Sequence, residues 1–226
     1  MIHGRGFNND ALWGMNLMTI LQAPTDTQKR LYDAFTHCVT ALELPLNKIT
    51  VTKVTKIAGL SRRTFYTHFL DIYDLYEKLK QHLAQVLAIG TAGFVTKNGI
   101  TKPAGILKAI HDIDQYEPYI FAVSNLDTEF FPQQITDLVQ QKLLDYVAHR
   151  PDKKSVVSER ETYYHILFIS YGLGQECYYW MADRQRIPAQ DLAKNIYYQL
   201  SSVSVGMIDP DLLDQAVAKL NTFDAN

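Results

Sequence analysis

This sequence predicts an all-α fold, and three observations carry the prediction. Apolar residues recur at i, i+3, i+4 and i+7 in successive stretches from Leu31 to Leu220, the spacing that lines one face of a helix. The strict alternation of a half-buried strand is scarce, and no internal repeat or low-complexity segment interrupts the helical pattern. Pro45, Gly59, the stretch from Thr91 to Pro103 and Pro188 punctuate it at the places where helices must end or begin.

Size and composition bound the class. The 226 residues suffice for one large or two modest domains with a real core. A content of 47% hydrophobic against 20% charged residues excludes a disordered chain. Two cysteines argue against a disulfide scaffold and agree with a reducing compartment. No apolar run approaches the ~18–20 residues that span a bilayer, so no membrane partner is expected. The stretch Ala11 to Leu21, with Arg5 before it and Ala23 after it, imitates a secretory signal peptide. Asn16 and Gly14 break that run and only one basic residue precedes it. Residues 1–24 are therefore expected to form an arm, either disordered or upstream of the true start, since Met15 and Met18 lie just before the first convincing helix.

The elements follow in order. Leu31, Ala34, Phe35, Cys38, Val39 and Leu42 share one stripe of a first helix, which Thr25 or Asp26 can cap and Pro45 ends. A short helix from about Val51 to Ala58 has Thr50 as its cap. Gly59-Leu60-Ser61 makes a tight turn into a third helix, Arg62 to Phe69, with Ser61 placed to cap it. A long helix from about Asp71 to Ile89 buries Ile72, Leu75, Leu79, Leu83, Val86 and Leu87. Thr91 to Pro103, with its Asn-Gly pair, reads as a loop. Helices resume over Pro103–Tyr116, Pro118–Asn125 and about Gln133–His149. After a polar loop from Arg150 to Ser158 come an aromatic-rich helix, about Glu159–Arg184, and a helix from Pro188 to about Val205. Asp209-Pro210 opens a last amphipathic helix.

Charge singles out the region around the first turn. Between Pro45 and Leu70 lie Lys48, Lys53, Lys56, Arg62 and Arg63 and no acidic residue, so this stretch carries +5 and the remainder −7 of a net −2. A charge run alone is commonly just a solvated face. Here the run coincides with two short helices joined through a glycine, a helix-turn-helix. Phe65 and Phe69 lie four apart and share a face with Ile72, while Arg63 and Thr67 point the other way. A helix so anchored can present its basic N-terminal end to a major groove, with Lys53 and Lys56 near the phosphates.

The run from Ile49 to Phe69 resembles the DNA-binding domain of the TetR family of bacterial transcriptional regulators. Its turn is Ala58-Gly59-Leu60-Ser61, and Thr64, Tyr66 and Phe69 stand at the positions of the Thr-x-Tyr-x-x-Phe recognition helix. The resemblance covers residues 26 to about 80 and is architectural beyond. It implies a helix-turn-helix DNA-binding domain over residues 25–72 and a helical ligand-binding and dimerisation domain over residues 73–226. Arg62 and Arg63 match the groove end of the recognition helix, where a bidentate arginine–guanine pair is worth about 1–3 kcal/mol of discrimination. Tyr66 and His68 match positions that touch phosphate or the groove edge. Thr50 and Thr52 match the start of the supporting helix, whose N–H groups meet a phosphate. Two departures stand out: Thr55 replaces a usual small Ala, and Ile72 occupies a position often held by a phosphate-binding Lys.

The resemblance further implies that the helices at about 159–184 and 188–205 pair with their symmetry mates in a four-helix bundle. Pocket walls then come from His111, Tyr116, Tyr119, Phe121, Phe130 and Phe131, with His111 and Glu176 as candidate polar anchors. The aromatics from Tyr163 to Trp180 read mainly as core and dimer interface, and Gly172 and Gly174 within that helix require a packing reason. Cys38 and Cys177 read as packed free thiols.

No P-loop, dinucleotide glycine pattern, Gly-x-Ser-x-Gly or His-Glu-x-x-His occurs, and histidines and cysteines do not cluster at metal-ligand spacing. The expectation is a cytoplasmic, non-enzymatic regulator without cofactor or metal: a homodimer that binds a pseudo-palindrome in double-stranded DNA, acts as a repressor and is released by a small-molecule effector. The competing reading is a family look-alike that no longer binds DNA and works through protein–protein contact.

Overall fold

A computed structural model describes residues 23–96, 99–148, 159–183 and 185–206. Nine α-helices occupy most of them: α1 (Asp26–Thr40), α2 (Val51–Ala58), α3 (Arg62–Tyr66), α4 (Ile72–Gly90), α5 (Pro103–Asp114), α6 (Glu117–Leu126), α7 (Phe130–Ala148), α8 (Glu159–Ala182) and α9 (Ala189–Gly206). The expected all-α class holds. The expected N-terminal arm up to residue 22 and the last helix, from Asp209, lie outside the described residues.

Local chemistry sets the first boundaries. Thr25, not Asp26, caps α1: its hydroxyl accepts from the Gln28 backbone amide while the Gln28 side-chain oxygen Oε1 accepts from the Thr25 backbone amide at 2.9 Å. Leu31, Phe35 and Cys38 are fully buried along its inner stripe. Leu42, expected on that stripe, is exposed because α1 stops at Thr40, ahead of Pro45. A 3-10 turn at Leu46–Lys48 then delivers the chain to α2.

The long helix α4 follows the N-terminal three helices and packs against α5, α6 and α7, while α1 packs against α6. One buried cluster runs from Leu31 in α1 to Leu200 in α9. The stretch read as a loop between Thr91 and Pro103 contains more order than expected. Thr91–Gly93 is a 3-10 turn, and Val95 and Thr96 pair antiparallel with Ile100 and Gly99. Burial of Phe94 and Val95 fixes this short ladder, a tertiary effect that turn composition cannot reveal. Similarly, α7 begins at Phe130, three residues before the expected start, where Phe131 and Pro132 are buried.

The packing reason for Gly174 is visible. A Cβ there would meet the Thr136 hydroxyl and lie 2.5 Å from the Pro132 carbonyl oxygen, so glycine lets α8 approach α7 closely. At Gly172 no atom of the described residues lies within 4 Å of the same position. Both cysteines are free; burial pushes the Cys38 thiol up against an opposing effect of Lys53, and burial with Glu176 pushes the Cys177 thiol up to about 12.

Candidate nucleic-acid interface

The helix-turn-helix is assembled from short-range rules. The Thr50 hydroxyl accepts from the Lys53 amide and starts α2. Gly59 takes φ 63 and ψ 37, the left-handed conformation that closes α2 and that a side chain would strain. The Ser61 hydroxyl accepts from the Thr64 amide at 3.0 Å and starts α3. From outside the motif, the Arg30 guanidinium donates to the Ala58 carbonyl at 2.6 Å and the Gly59 carbonyl at 3.3 Å, holding the turn against α1. Sequence reasoning missed Arg30; its only local sign is an arginine on the polar side of α1.

The helix α3 is shorter than expected. It ends at Tyr66, and Thr67 to Phe69 form the turn into α4. The anchor works as expected: Phe65 and Phe69 are buried, their rings 5.6 Å apart, and Ile72 is buried beside them. Behind this turn the Lys78 ammonium donates to the His68 carbonyl and to Asp74, and lies 5.4 Å over the Phe69 ring. Burial pushes the Asp74 carboxyl up, but the Leu70 amide and the Lys78 ammonium outweigh it and hold it below the usual carboxylate range.

Pinned in this way, the segment turns its polar side outward. Thr50, Thr52, Lys56, Arg62, Arg63, Tyr66 and Thr67 are exposed, and Lys53 and His68 are half-buried. The Arg62 guanidinium reaches the Tyr66 hydroxyl at 3.4 Å, and neither arginine has an acidic partner among the described ion pairs. Thr55 is buried but satisfied, its hydroxyl donating to the Val51 carbonyl at 2.8 Å. The stretch from Lys48 to Arg63 carries five cationic side chains and no carboxylate, and its two adjacent arginines are exposed.

Two small cavities lie in the helical body. The first is lined chiefly by Phe94, Ile113, Phe131, Trp180 and Leu192, with Asp114 at its wall. The second shares Phe131 and Met181 with it and adds Glu117, Phe121 and Ser124. Of the residues expected to line a pocket, Phe131 lines both and Phe121 the second. The others stand elsewhere. His111 is exposed, one position past the buried Ile110 and so turned off the inner face of α5. Tyr116 packs edge-on against His82, 5.7 Å between centroids. Phe130 is half-buried against the core. Glu176 accepts a hydrogen bond from Gln199 at 2.6 Å. Tyr119 points the other way altogether, donating to Asp33 of α1 at 2.5 Å. Among the described residues no group of His, Cys, Asp and Glu is arranged to hold a metal, and no helix is long and apolar enough to cross a membrane.

No protein-family model and no curated protein matches the chain. Solved structures do. The dihydroxyacetone kinase operon activator DhaS superposes with a TM-score of 0.54 at 16% identity, covering 81% of this chain and 99% of its own. A TetR transcriptional regulator from Streptococcus agalactiae superposes at 0.51 with 22% identity, covering 83% of this chain and 99% of its own. Both neighbours are transcription regulators. The chain has the TetR-like fold: an N-terminal helix-turn-helix followed by a larger helical body.

Proposed function

We propose that this chain is a transcriptional repressor that binds a pseudo-palindromic operator as a homodimer and is released by a small-molecule ligand. Residues 25–72 are the DNA-binding unit, and residues 73–226 carry ligand binding and dimerisation. The observation that carries the reading is the exposure of Arg62 and Arg63 on a helix whose opposite side is pinned by the buried Phe65, with Phe69 buried in the turn that follows it. Thr50, Thr52, Lys53, Tyr66, Thr67 and His68 flank these arginines as backbone-positioning groups.

Dimerisation is supported by α8. Tyr164, Phe168 and Tyr171, at i, i+4 and i+7, form an exposed apolar stripe, with Phe168 78% exposed. A monomeric protein gains nothing from such a stripe, whereas a second copy would bury it. Release is supported by α6, which offers Ile120, Phe121 and Ser124 to the second cavity and Tyr119 to α1. A ligand that displaces α6 would pull on Asp33, and α1 holds the helix-turn-helix through Arg30.

The competing reading, a co-regulator that acts through protein contact, draws on Ile72, which is buried where the resemblance places a phosphate-binding lysine. DNA binding separates the two. With DNA from upstream of its own gene, Arg62→Ala and Arg63→Ala should each relax sequence preference. Lys53→Ala should weaken all duplexes alike and reduce the salt slope by about 1. Operator binding unchanged in both arginine variants would refute the assignment of base readout, and no shift with any duplex would favour the co-regulator.

A further inference from the structure

We propose that the helical body binds a lipophilic organic cation, an amine or quaternary ammonium on an apolar frame, at a site where Arg186 acts as a built-in placeholder. This rests on the reading of that body as a ligand sensor. Arg186 lies in the turn between α8 and α9. Its guanidinium stands 4.2 Å over the Trp180 ring, with Nη2 3.3 Å from Asp114 and Nη1 3.3 Å from Glu117. Trp180 and Asp114 are walls of the first cavity and Glu117 is a wall of the second; Arg186 lines neither, and its guanidinium bridges a wall of each from beside them.

An aromatic face and a pair of carboxylates are the groups that recognise a desolvating cation. The three charges sum to −1, which repels an anion and leaves one carboxylate in excess. The ion pairs are long and partly exposed, so they hold Arg186 weakly and a competitor can replace it. Behind the rim, Phe94, Ile113, Phe131 and Leu192 accept an apolar body. An independent observation comes from the second cavity. Ser124 is 5% exposed and lines that cavity, and its hydroxyl has no hydrogen-bond partner among the described residues. A buried hydroxyl left unpaired is costly, and a ligand with a polar group beside its cation would satisfy it.

Calorimetric titration of the full-length protein with benzyltrimethylammonium, and with its neutral isostere neopentylbenzene, tests the proposal. The cation should bind about tenfold more tightly than the isostere, and Asp114→Asn should abolish that preference. Arg186→Gln removes the competitor and should tighten binding of the cation about tenfold while leaving the isostere unchanged. Arg186→Lys, which keeps a cation in the turn, should behave like the wild type and guards against a folding defect. Equal affinity for both probes, or an Arg186→Gln protein that melts normally and binds the cation no more tightly, would overturn the proposal. No DNA enters this titration. Failure here with operator binding intact refutes the ligand class alone, and cation binding without operator binding refutes only the DNA reading.

Discussion

Two glycines two residues apart in α8 should respond to alanine with opposite signs. Each Gly→Ala change within a helix gains about 1 kcal/mol from backbone propensity. At Gly172 nothing among the described residues opposes that gain, because none of their atoms lies within 4 Å of the added Cβ. At Gly174 the Cβ would lie 2.5 Å from the Pro132 carbonyl oxygen, a main-chain atom of α7 that no rotamer change can move. Ordinary contact begins at 3.4 Å, so α7 and α8 must separate by about 0.9 Å. Overpacking of this kind costs about 1–3 kcal/mol, leaving Gly174→Ala destabilised by about 1 kcal/mol and Gly172→Ala stabilised by about as much. The difference of about 2 kcal/mol corresponds to roughly 4–8 °C in Tm for a chain of this size. Urea unfolding at several protein concentrations reads both, and the concentration series separates protomer stability from dimer linkage. A Gly174→Ala protein as stable as the wild type would refute the close approach of α7 and α8.

Further predictions concern the junction between the helix-turn-helix and the body. Burial, and then the bond to Asp33, raise the Tyr119 phenol above its ordinary value, so it remains a donor. Tyr119→Phe should cost about 1 kcal/mol, discounted because Asp33 is half exposed and keeps Lys29; coupling near zero in a double-mutant cycle with Asp33→Ala would dismiss the bridge. His82 is buried against Tyr32 and Tyr116 with Nε2 unpartnered among the described residues, and burial holds its pKa below the ordinary value. The unfolded chain therefore takes up a proton first as pH falls below about 6.5, and stability drops on the acid side. His82→Leu should flatten that part of the stability–pH curve; an unaltered slope would count against it. Arg30→Ala should weaken binding of every duplex by freeing the turn at Ala58 and Gly59, measured by anisotropy alongside melting; full affinity would show that the clamp is dispensable.

What could be read from the residues alone was whatever depends on neighbours a few positions away. The stripe of Leu31, Phe35 and Cys38, the caps at Thr50 and Ser61, and the left-handed Gly59 all follow from i, i+3, i+4 geometry and from hydrogen bonds that close within one turn. The same periodicity, applied strictly, would have turned His111 off the buried face shared by Ile106, Ile110 and Ile113. Short-range signals failed where burial decides, as in the Val95–Ile100 pairing, the start of α7 at Phe130 and the early end of α3.

The sequence by itself therefore determined the helical class, the cationic helix-turn-helix and which of its faces points inward. Tertiary structure alone decided the rest: that Arg30 reaches the turn 28 residues away, that Tyr119 serves α1, and that Arg186 meets carboxylates 69 and 72 residues distant. The physical reason is that helix spacing and capping act within a turn. A partner across the core depends on how whole helices cross, and many distant side chains set that crossing together.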